Sequence, residues 1–294
     1  SRPRRPRTSI TMPGLGHYLH LDTDSIGTFD TFLQAYNAFE WKYAPLHEFK
    51  YPCAAAVLYL ACVIAYKLST KKDAGGSKKT PVTRDLKGVQ MVHNIILSGG
   101  SLIMLLGAIF EACRRSKAHS GFSWLLCEDP MMTASGPLYF WSYIYYLSKY
   151  YELLDTVITL IRGRPPPHFV LHVYHHACVL FMTWAWLEYL TSLQFLGLMF
   201  NTSVHVVMYY YYLVRLVWGP PWWKSFVTLF QIVQFMTSVG LFALTAKKIW
   251  VDGDRCAGVT SLGWTMAFNL TLLYEFVQVY LSNSRKKVQK DHTA

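Results

Sequence analysis

Three histidines lie within one apolar segment of the chain, where a polar side chain is costly unless it has a function. His172, His175 and His176 belong to the run H-V-Y-H-H, inside a segment from His168 to Leu190 that is otherwise nearly all apolar and aromatic. About 20 apolar residues suffice for a helix to cross a bilayer, so this segment is long enough to do so. Because positions i, i+3 and i+4 share one helix face, the spacing predicts three imidazoles directed into one neighbouring space.

Polar side chains at helical spacing also occur in three other apolar segments. Each of the four segments therefore predicts a helix with one polar face. Because such faces cannot be exposed to lipid without a cost, we expect them to meet around a polar chamber. The polar positions are Lys149, Glu152 and Asp155 in the first segment, Asn201, His205, Met208, Tyr209 and Tyr212 in the second, and Thr228, Gln231 and Gln234 in the third.

These patterns also have structural interpretations. The charged stripe that begins at Lys149 is compatible with a buried ion network, and Tyr209 with its neighbours is compatible with an aromatic belt at the membrane interface. Gln231 taken alone is typical of a hydrogen bond between helices. His93 and His168 stand apart from the other histidines, which favours structural roles for both.

Histidine acts near neutral pH as a metal ligand, a general base or a nucleophile. An H-x-x-H-H run also occurs in membrane di-iron desaturases and hydroxylases, so a di-iron lipid oxidase is the alternative function. Two irons need more ligands than this chain offers, because only the three clustered histidines and His205 lie at comparable depth. The sequence therefore predicts no metal or other cofactor and favours nucleophilic or acid–base chemistry.

The composition is that of a membrane protein. Of the 294 residues, 52% are hydrophobic and 16% are aromatic, yet the formal net charge is +11. Soluble domains rarely combine these values. The charge could indicate nucleic-acid binding, but Lys and Arg lie mostly between hydrophobic blocks, which predicts membrane orientation and no nucleic-acid partner. The six cysteines lack the spacing of a zinc site.

The chain divides into an N-terminal region at 1–50, a seven-helix membrane domain at 51–284 and a basic cytosolic tail at 285–294. Residues 1–11 are expected to be a leader or disordered, and no apolar segment of a cleavable signal peptide follows the arginines there. The lack of an internal repeat weighs against an inverted-repeat transporter. Seven hydrophobic spans are predicted at roughly 52–68, 89–111, 137–161, 168–190, 194–217, 226–246 and 260–282.

Basic residues predict the orientation in the membrane. The connection at 67–87 and the tail at 285–290 are rich in Lys and Arg, and both lie on the same side of the seven spans. The positive-inside rule therefore places the C-terminus in the cytosol and the N-terminus on the other side. Cys127 and Cys256 then share the non-cytosolic side, where an oxidising lumen would allow them to pair; two separate reduced thiols are the alternative.

Four motifs in this chain resemble those of the fatty-acid elongase (ELO) family. They are K-Y-Y-E-L-L-D, H-V-Y-H-H, N-T-S-V-H-V-V-M-Y-Y-Y-Y and T-L-F-Q-I-V-Q, in the family's order and spacing. The resemblance implies an all-α polytopic membrane protein with seven transmembrane helices, six of them forming a barrel around an acyl-chain tunnel. It implies a 3-oxoacyl-CoA synthase, an acyltransferase that condenses long-chain acyl-CoA with malonyl-CoA and releases CO2 and CoA. The family's lumenal disulfide corresponds to Cys127 with Cys256.

The resemblance also implies roles for the residues of the chamber. His175 would carry the acyl group as an acyl-imidazole, His205 would face it, and His172 and His176 would orient and polarise it. Asn201 would donate a hydrogen bond to a developing oxyanion. Cationic side chains suit CoA phosphates, so Lys149, Arg162 and Lys224 are expected to hold them at the cytosolic mouth. Positive-inside topology alone is the alternative explanation for Arg162 and Lys224. Tyr211 and Thr228 are expected to bond CoA or the acyl head, and Glu152, Asp155 and Gln234 complete the predicted substrate-binding set.

Some expectations depend on the resemblance alone. Many family members end in a dilysine signal, but Lys286 and Lys287 lie upstream of the last residues here, so residence in the endoplasmic reticulum membrane rests on the family. The expected partners are acyl-CoA, malonyl-CoA, the lipid bilayer, the ketoreductase, dehydratase and enoyl reductase of the elongation cycle, and a second copy in a homodimer. A seven-helix receptor or retinal pigment is the non-enzyme alternative, although a Schiff-base lysine normally lies in the last span and Lys149 lies in the third.

Overall fold

Helices are the only regular secondary-structure elements in the part of the chain that the structure describes. The computed structural model describes residues 28–69, 86–119, 121–163 and 168–291, with side chains between residues 32 and 282 of those ranges. One isolated bridge, between Glu40 and Ser135, is the only strand-like pairing within them. The all-α prediction is confirmed. The expected leader at 1–11 and most of the basic connection at 67–87 lie outside the described residues.

Eight α-helices, together with two short 3-10 helices at Trp41–Tyr43 and Ser123–Leu125, follow one another along these residues. The α-helices are α1 (Thr28–Asn37), α2 (Lys50–Ser69), α3 (Lys87–Ala118), α4 (Pro137–Ile161), α5 (Phe169–Glu188), α6 (Gln194–Trp218), α7 (Lys224–Trp250) and α8 (Val259–Asp291). Helices α2 to α8 match the seven predicted spans in order, although α3 and α8 continue beyond the predicted ends.

Three of the helices, α2, α3 and α7, are long and apolar enough to cross a membrane. They indicate a multi-pass membrane protein. The other four long helices are 20 to 33 residues in length, and three of them, α4, α5 and α6, carry the tyrosines and histidines of the polar faces. These side chains lower the mean hydropathy of the segments that must position the site.

Six of the helices are neighbours in a closed order. Helix α3 packs on α4, α4 on α5, α5 on α8, α8 on α7, α7 on α6, and α6 returns to α3. Helix α4 also contacts α6 directly, and α2 lies outside this order against α5 and α4. Helices α4, α5 and α6, which carry most of the predicted polar faces, are therefore mutual neighbours through α4.

Local sequence explains where the helices begin and end. Helix α4 begins at Pro137, whose fixed φ suits the first helical turn, directly after Gly136 at φ 82°. Helix α6 ends at Trp218, and the next residue, Gly219, has φ 91°, a conformation that favours glycine; two prolines follow. Gly258, before α8, allows close packing, because a Cβ there would lie 2.6 Å from the Tyr189 carbonyl oxygen of the α5–α6 connection.

The connections at one end of the helices are tied together, and we call this the disulfide end. Cys127, between α3 and α4, is bonded to Cys256, between α7 and α8. Next to this bond, the Glu128 backbone N–H donates to the Ser192 hydroxyl at 3.1 Å, and Ala257 N–H donates to the Glu128 carbonyl at 2.8 Å. Three connections are thereby joined, so the helices that meet here are fixed relative to one another.

A buried ion pair supports the same end. Arg115, near the end of α3, donates through Nη1 to Glu128 Oε2 at 2.7 Å, and its second terminal nitrogen binds Oε1. The guanidinium also lies over the Trp124 ring, 4.0 Å from its centre. Tyr139 donates to the same carboxylate at 3.3 Å. A planar guanidinium suits this bidentate pairing, which fixes the α3–α4 connection to the first turn of α4.

Candidate active site

The charged stripe of α4 forms a buried network with α6. Lys149 Nζ donates to Glu152 Oε1 at 2.7 Å, and the side chains are 1% and 2% exposed. The same ammonium donates to Asn201 Oδ1 at 3.2 Å, and the Tyr145 hydroxyl donates to that oxygen at 2.8 Å. The ammonium also lies 4.1 Å from the centre of the Tyr145 ring.

The placement of Lys149 at the cytosolic mouth is therefore wrong. Its ammonium is enclosed among α4 and α6 side chains, and it matches the ion-network interpretation of the charged stripe. The physical reason is the carboxylate one turn further along α4, because a buried lysine is held most favourably by an adjacent anion. A stripe in the sequence gives the face of a helix but not how far each side chain lies from either membrane surface.

The Glu152 carboxylate also reaches a histidine of α6. Oε1 lies 3.4 Å from Nδ1 of His205, whose side chain is 7% exposed. Asn201 and His205 are one turn apart on α6, so one face of that helix meets both the lysine and the carboxylate. Oε2 of Glu152 is buried and has no hydrogen-bond partner among the described residues. The carboxylate is thus placed to orient an imidazole while retaining one free acceptor.

Asp155, one turn further along α4, joins two more helices. His93 Nε2 of α3 lies 2.9 Å from Asp155 Oδ1, and the Tyr209 hydroxyl of α6 donates to Oδ2 at 2.7 Å. The prediction that His93 stands apart from the other polar residues is wrong, because its ring is only 4% exposed and contacts the Asp155 carboxylate. The charged stripe of α4 therefore connects α3 and α6, and a histidine missed by sequence spacing belongs to the cluster.

The three histidines of α5 lie beside this network in unequal surroundings. His172 Nε2 is 2.9 Å from the Thr156 hydroxyl of α4, and the centres of the His172 and His176 rings are 4.3 Å apart. The His175 ring lies 5.4 Å from that of His176 and stacks at 6.0 Å on Phe268 of α8. Because His175 and His176 are consecutive, they point in directions about 100° apart around the helix. His175 therefore faces α8, while His172 and His176 pack together near α4.

Two of these imidazoles have a nitrogen without a partner. Nδ1 of His175 and Nδ1 of His176 are buried and make no hydrogen bond with any described residue. His175 also interacts electrostatically with Lys149, Glu152 and His205 of the charged network of α4 and α6. An imidazole that is not engaged by other side chains is available to a substrate.

The remaining predicted substrate-binding positions are distributed towards the other end of the helices. Arg162 is half-buried at the end of α4, Lys224 is exposed at the start of α7, and Thr228 is half-buried one turn later. Tyr211 is buried near the end of α6 and packs edge-on against Trp223, while Gln234 is buried in α7. No described contact joins Arg162, Lys224, Thr228 or Gln234 to the histidine cluster. Arg162, Lys224 and Thr228 lie towards the end of the helices opposite the disulfide. Gln234 lies further along α7, nearer the middle of that helix.

Metal-binding geometry is not a feature of the described part of the chain. No group of three or more His, Cys, Asp or Glu side chains within it is arranged to hold a metal ion. Three imidazoles have protein partners instead: His172 with the Thr156 hydroxyl, His205 with Glu152 and His93 with Asp155.

The fold and the cluster define a class of protein: a multi-helical membrane protein that encloses imidazoles, carboxylates and one ammonium between its helices. A family model described as ELO, the GNS1/SUR4 family, matches residues 44–292. The chain belongs to this family. The resemblance inferred from the four motifs is confirmed.

Individual relatives agree with the family. Fatty acid elongase sre1 of Dictyostelium discoideum is 33% identical over 258 residues, which cover 85% of this chain and 91% of the relative. Fatty acid elongase A of the same organism is 31% identical over 282 residues, covering 92% and 94% of the two chains. Very long chain fatty acid elongase 4 of Mus musculus is 27% identical over 211 residues, covering 67% and 64%.

Proposed function

We propose that this protein catalyses the condensing step of fatty acid elongation, in which a long-chain acyl-CoA and malonyl-CoA give a 3-oxoacyl-CoA two carbons longer, with CO2 and CoA. Fatty acid elongation follows from the family and from the names of the relatives. The condensing chemistry is supported by one observation above all. His205 of α6 contacts the buried Lys149–Glu152 pair, and electrostatic interactions link His175 and His176 of α5 to the same pair.

The surroundings of the imidazoles favour His175 as the acyl carrier. His172 is engaged by a hydroxyl and His205 by a carboxylate, whereas Nδ1 of His175 has no partner among the described residues. His176 also has a free Nδ1, but it is 5% exposed and packed between the His172 and His175 rings. Of the three α5 histidines, His175 combines a free nitrogen with a position facing away from the other two towards α8.

Acyl transfer to this imidazole balances as follows. The lone pair on one ring nitrogen of His175 attacks the thioester carbonyl, the carbon–sulfur bond breaks, and the CoA sulfur takes the proton that the imidazole releases. Malonyl-CoA then loses CO2, and the resulting enolate carbon attacks the acyl carbon. The carbon–nitrogen bond breaks, and the imidazole takes up one proton from solution. Covalent catalysis divides one difficult condensation into two easier steps.

The charged network would stabilise the oxyanions of these steps. Lys149 and Asn201 are held in place by Glu152 and Tyr145, so their dipoles and charge are oriented before the substrate arrives. Donors fixed in advance in a site that excludes water stabilise developing negative charge more strongly than donors in solution. The His205–Glu152 pair resembles the carboxylate–imidazole arrangement that holds a catalytic histidine in one orientation.

The fold supports a membrane-embedded tunnel. We assign all seven helices α2 to α8 as spans, with the six helices of the closed order forming a barrel. The acyl chain would extend towards the disulfide end, and CoA would bind at the opposite end, near Arg162, Tyr211, Lys224 and Thr228. An oxidised disulfide suits a lumen, so we place the N-terminus in the lumen of the endoplasmic reticulum and the C-terminus in the cytosol.

Product analysis tests the proposed reaction. Purified protein incubated with a long-chain acyl-CoA and isotope-labelled malonyl-CoA should give a 3-oxoacyl-CoA that contains two labelled carbons, with equal yield in the absence of oxygen. A product of unchanged chain length that carries a new double bond or hydroxyl group, and that forms only with oxygen, would favour the di-iron alternative. A panel of acyl-CoA chain lengths would then define the substrate preference.

A further inference from the structure

One side chain from outside the closed helix order reaches the histidine cluster. Helix α2 packs on the outer side of α4 and α5, yet Tyr59 in its middle is only 5% exposed. Its hydroxyl lies 2.8 Å from the Thr156 hydroxyl of α4, which in turn lies 2.9 Å from Nε2 of His172. The Tyr59 ring is also 6.5 Å from the ring of His176. Two hydroxyls in series therefore end on an imidazole of the site.

The possible donors and acceptors give this series one direction. A neutral imidazole has one N–H donor and one acceptor nitrogen, and a hydroxyl can do both. Among the described residues, the only hydrogen bond of the Tyr59 hydroxyl is the one with Thr156, so Tyr59 must donate for its proton to be used. The Thr156 hydroxyl then donates its own proton to Nε2 of His172. In this direction the protons of both hydroxyls have an acceptor. In the reverse direction, the Tyr59 hydroxyl proton would be buried without an acceptor.

The direction fixes which nitrogen of His172 carries the proton. With Nε2 accepting, the neutral ring carries its proton on Nδ1, and its only other ring nitrogen is occupied by the threonine. His172 is therefore held as an oriented ring rather than left free to attack a carbonyl. That ring packs 4.3 Å from His176, which lies 5.4 Å from His175. The Tyr59–Thr156 hydroxyl pair therefore contacts the first of three imidazoles whose rings lie next to one another.

We propose that Tyr59 and Thr156 are positioning residues, which hold His172 in one tautomer and orientation so that His175 is presented to the acyl group. This inference rests on the proposed condensing function and adds α2 to the parts of the fold that the reaction needs. Partners that orient a functional histidine typically change its performance by about 10- to 100-fold when they are removed, as measured for metal-bound histidines.

Three single variants and one double variant test the series. Tyr59→Phe removes the first hydroxyl, Thr156→Val removes the second, and Thr156→Ser retains it. Tyr51→Phe, on the first turn of the same helix, is the matched control. Each is assayed for the rate of condensation at saturating substrate and for its thermal midpoint.

The expected pattern is specific to a series that acts through one imidazole. Thr156→Val should lower kcat by about 10-fold, Tyr59→Phe should lower it by less, and Thr156→Ser and Tyr51→Phe should retain the wild-type rate. The double variant Tyr59→Phe with Thr156→Val should be no slower than Thr156→Val alone, because the tyrosine acts only through the threonine. The proposal would be overturned if the fold-losses of kcat in the two single variants multiplied in the double variant. It would also be overturned if Thr156→Ser lost as much kcat as Thr156→Val.

A spectroscopic measurement tests the same inference without activity. In protein labelled with 15N-histidine, the resonances of His172, assigned by their loss in His172→Gln, should be those of the Nδ1–H tautomer. They should shift in Thr156→Val and remain in Tyr51→Phe. An Nε2–H tautomer in the wild type would overturn the proposal even if the enzyme condenses acyl-CoA. An inactive wild type with the Nδ1–H signature would instead contradict the proposed function and leave the positioning of His172 supported.

Discussion

Two buried glutamates, one at the disulfide end and one in the histidine cluster, are satisfied in different ways. Both oxygens of Glu128 have partners: Oε2 accepts from Arg115 and Tyr139, and Oε1 accepts from Arg115 and from a backbone N–H at 3.1 Å. Glu152 instead concentrates its contacts on Oε1, which accepts from Lys149 at 2.7 Å, and its buried Oε2 has no partner among the described residues.

The difference indicates what each network is for. A carboxylate with both oxygens paired holds its neighbours in one arrangement and has little capacity left for a ligand. A buried oxygen without a partner costs free energy, and such costs are concentrated at sites that act on substrates. The disulfide end is therefore expected to control stability, and the cluster around Glu152 is expected to control activity.

The largest expected effect is on the acyl carrier. His175→Ala should lower condensation by more than about 1000-fold, because removal of a nucleophile is not compensated by the remaining groups. Its thermal midpoint should change little, since the imidazole Nδ1 has no partner to lose. His119→Ala, an exposed histidine at the end of α3, is the control and should retain full activity. Retained turnover in His175→Ala would remove this residue from the reaction.

The two glutamates give the sharpest comparison. Glu128→Gln and Glu152→Gln each leave a buried cation without its anion, which should lower the free energy of unfolding by about 3–5 kcal/mol. Only Glu152→Gln should also lower the turnover of the molecules that remain folded, because it acts on His205 and Lys149. Turnover is measured per folded molecule below the thermal midpoint. An equal loss of turnover in both variants would show that the two regions are not functionally distinct.

Removal of the disulfide should affect stability alone. Replacing Cys127 and Cys256 together by serine opens a link between residues 129 positions apart and should cost about 2–5 kcal/mol. The exposed free Cys62 provides the matched control, and Cys62→Ser should leave the thermal midpoint unchanged. Turnover of the folded double variant should equal that of the wild type. A specific loss of turnover without a fall in the thermal midpoint would place the disulfide in the functional region.

The smallest effect concerns Tyr36 of α1. Its hydroxyl donates to Glu111 at 2.6 Å, and burial together with this hydrogen bond raises the pKa of Tyr36 from 10.0 to about 12. A group with a raised pKa contributes stability below its unfolded pKa and loses it as the pH rises through its folded pKa. The thermal midpoint should therefore be measured between about pH 9 and pH 12, the window that the pKa shift defines. From about pH 10 upwards, it should fall more steeply in the wild type than in Tyr36→Phe. Identical curves would show that this contact adds nothing to stability.

The positions of the long helices were largely predictable, because each one contains a run of apolar residues long enough to be recognised in the sequence. Spans predicted from apolar runs match α2 to α8, but α3 continues to Ala118 and α8 to Asp291. Hydropathy reports where apolar side chains end, whereas backbone hydrogen bonding continues through charged residues that favour helix. The short helix α1 has no long apolar run and was not predicted, since its packing on α4 is a tertiary contact.

The site was predictable where its residues share a helix and obscure where they meet across helices. Three-residue and four-residue spacing identified the α4, α5 and α6 faces. The contact of His93 with Asp155 joins residues 62 positions apart, and no periodicity indicates such a pair. Thr156 and Tyr59 were missed for a related reason: hydroxyl residues are common in membrane helices, and only distances to an imidazole distinguish them. The inward direction of Lys149 required the same information.

Mass spectrometry of the intact protein can detect the proposed acyl-imidazole, which is the feature that distinguishes covalent catalysis from direct acyl transfer. Purified enzyme is incubated with a long-chain acyl-CoA in the absence of malonyl-CoA, and the adduct is then mapped by fragmentation. Covalent catalysis predicts release of free CoA, an increase in mass equal to one acyl group, and attachment at His175, with no adduct in His175→Ala. Absence of any adduct, together with CoA release only when malonyl-CoA is present, would contradict it.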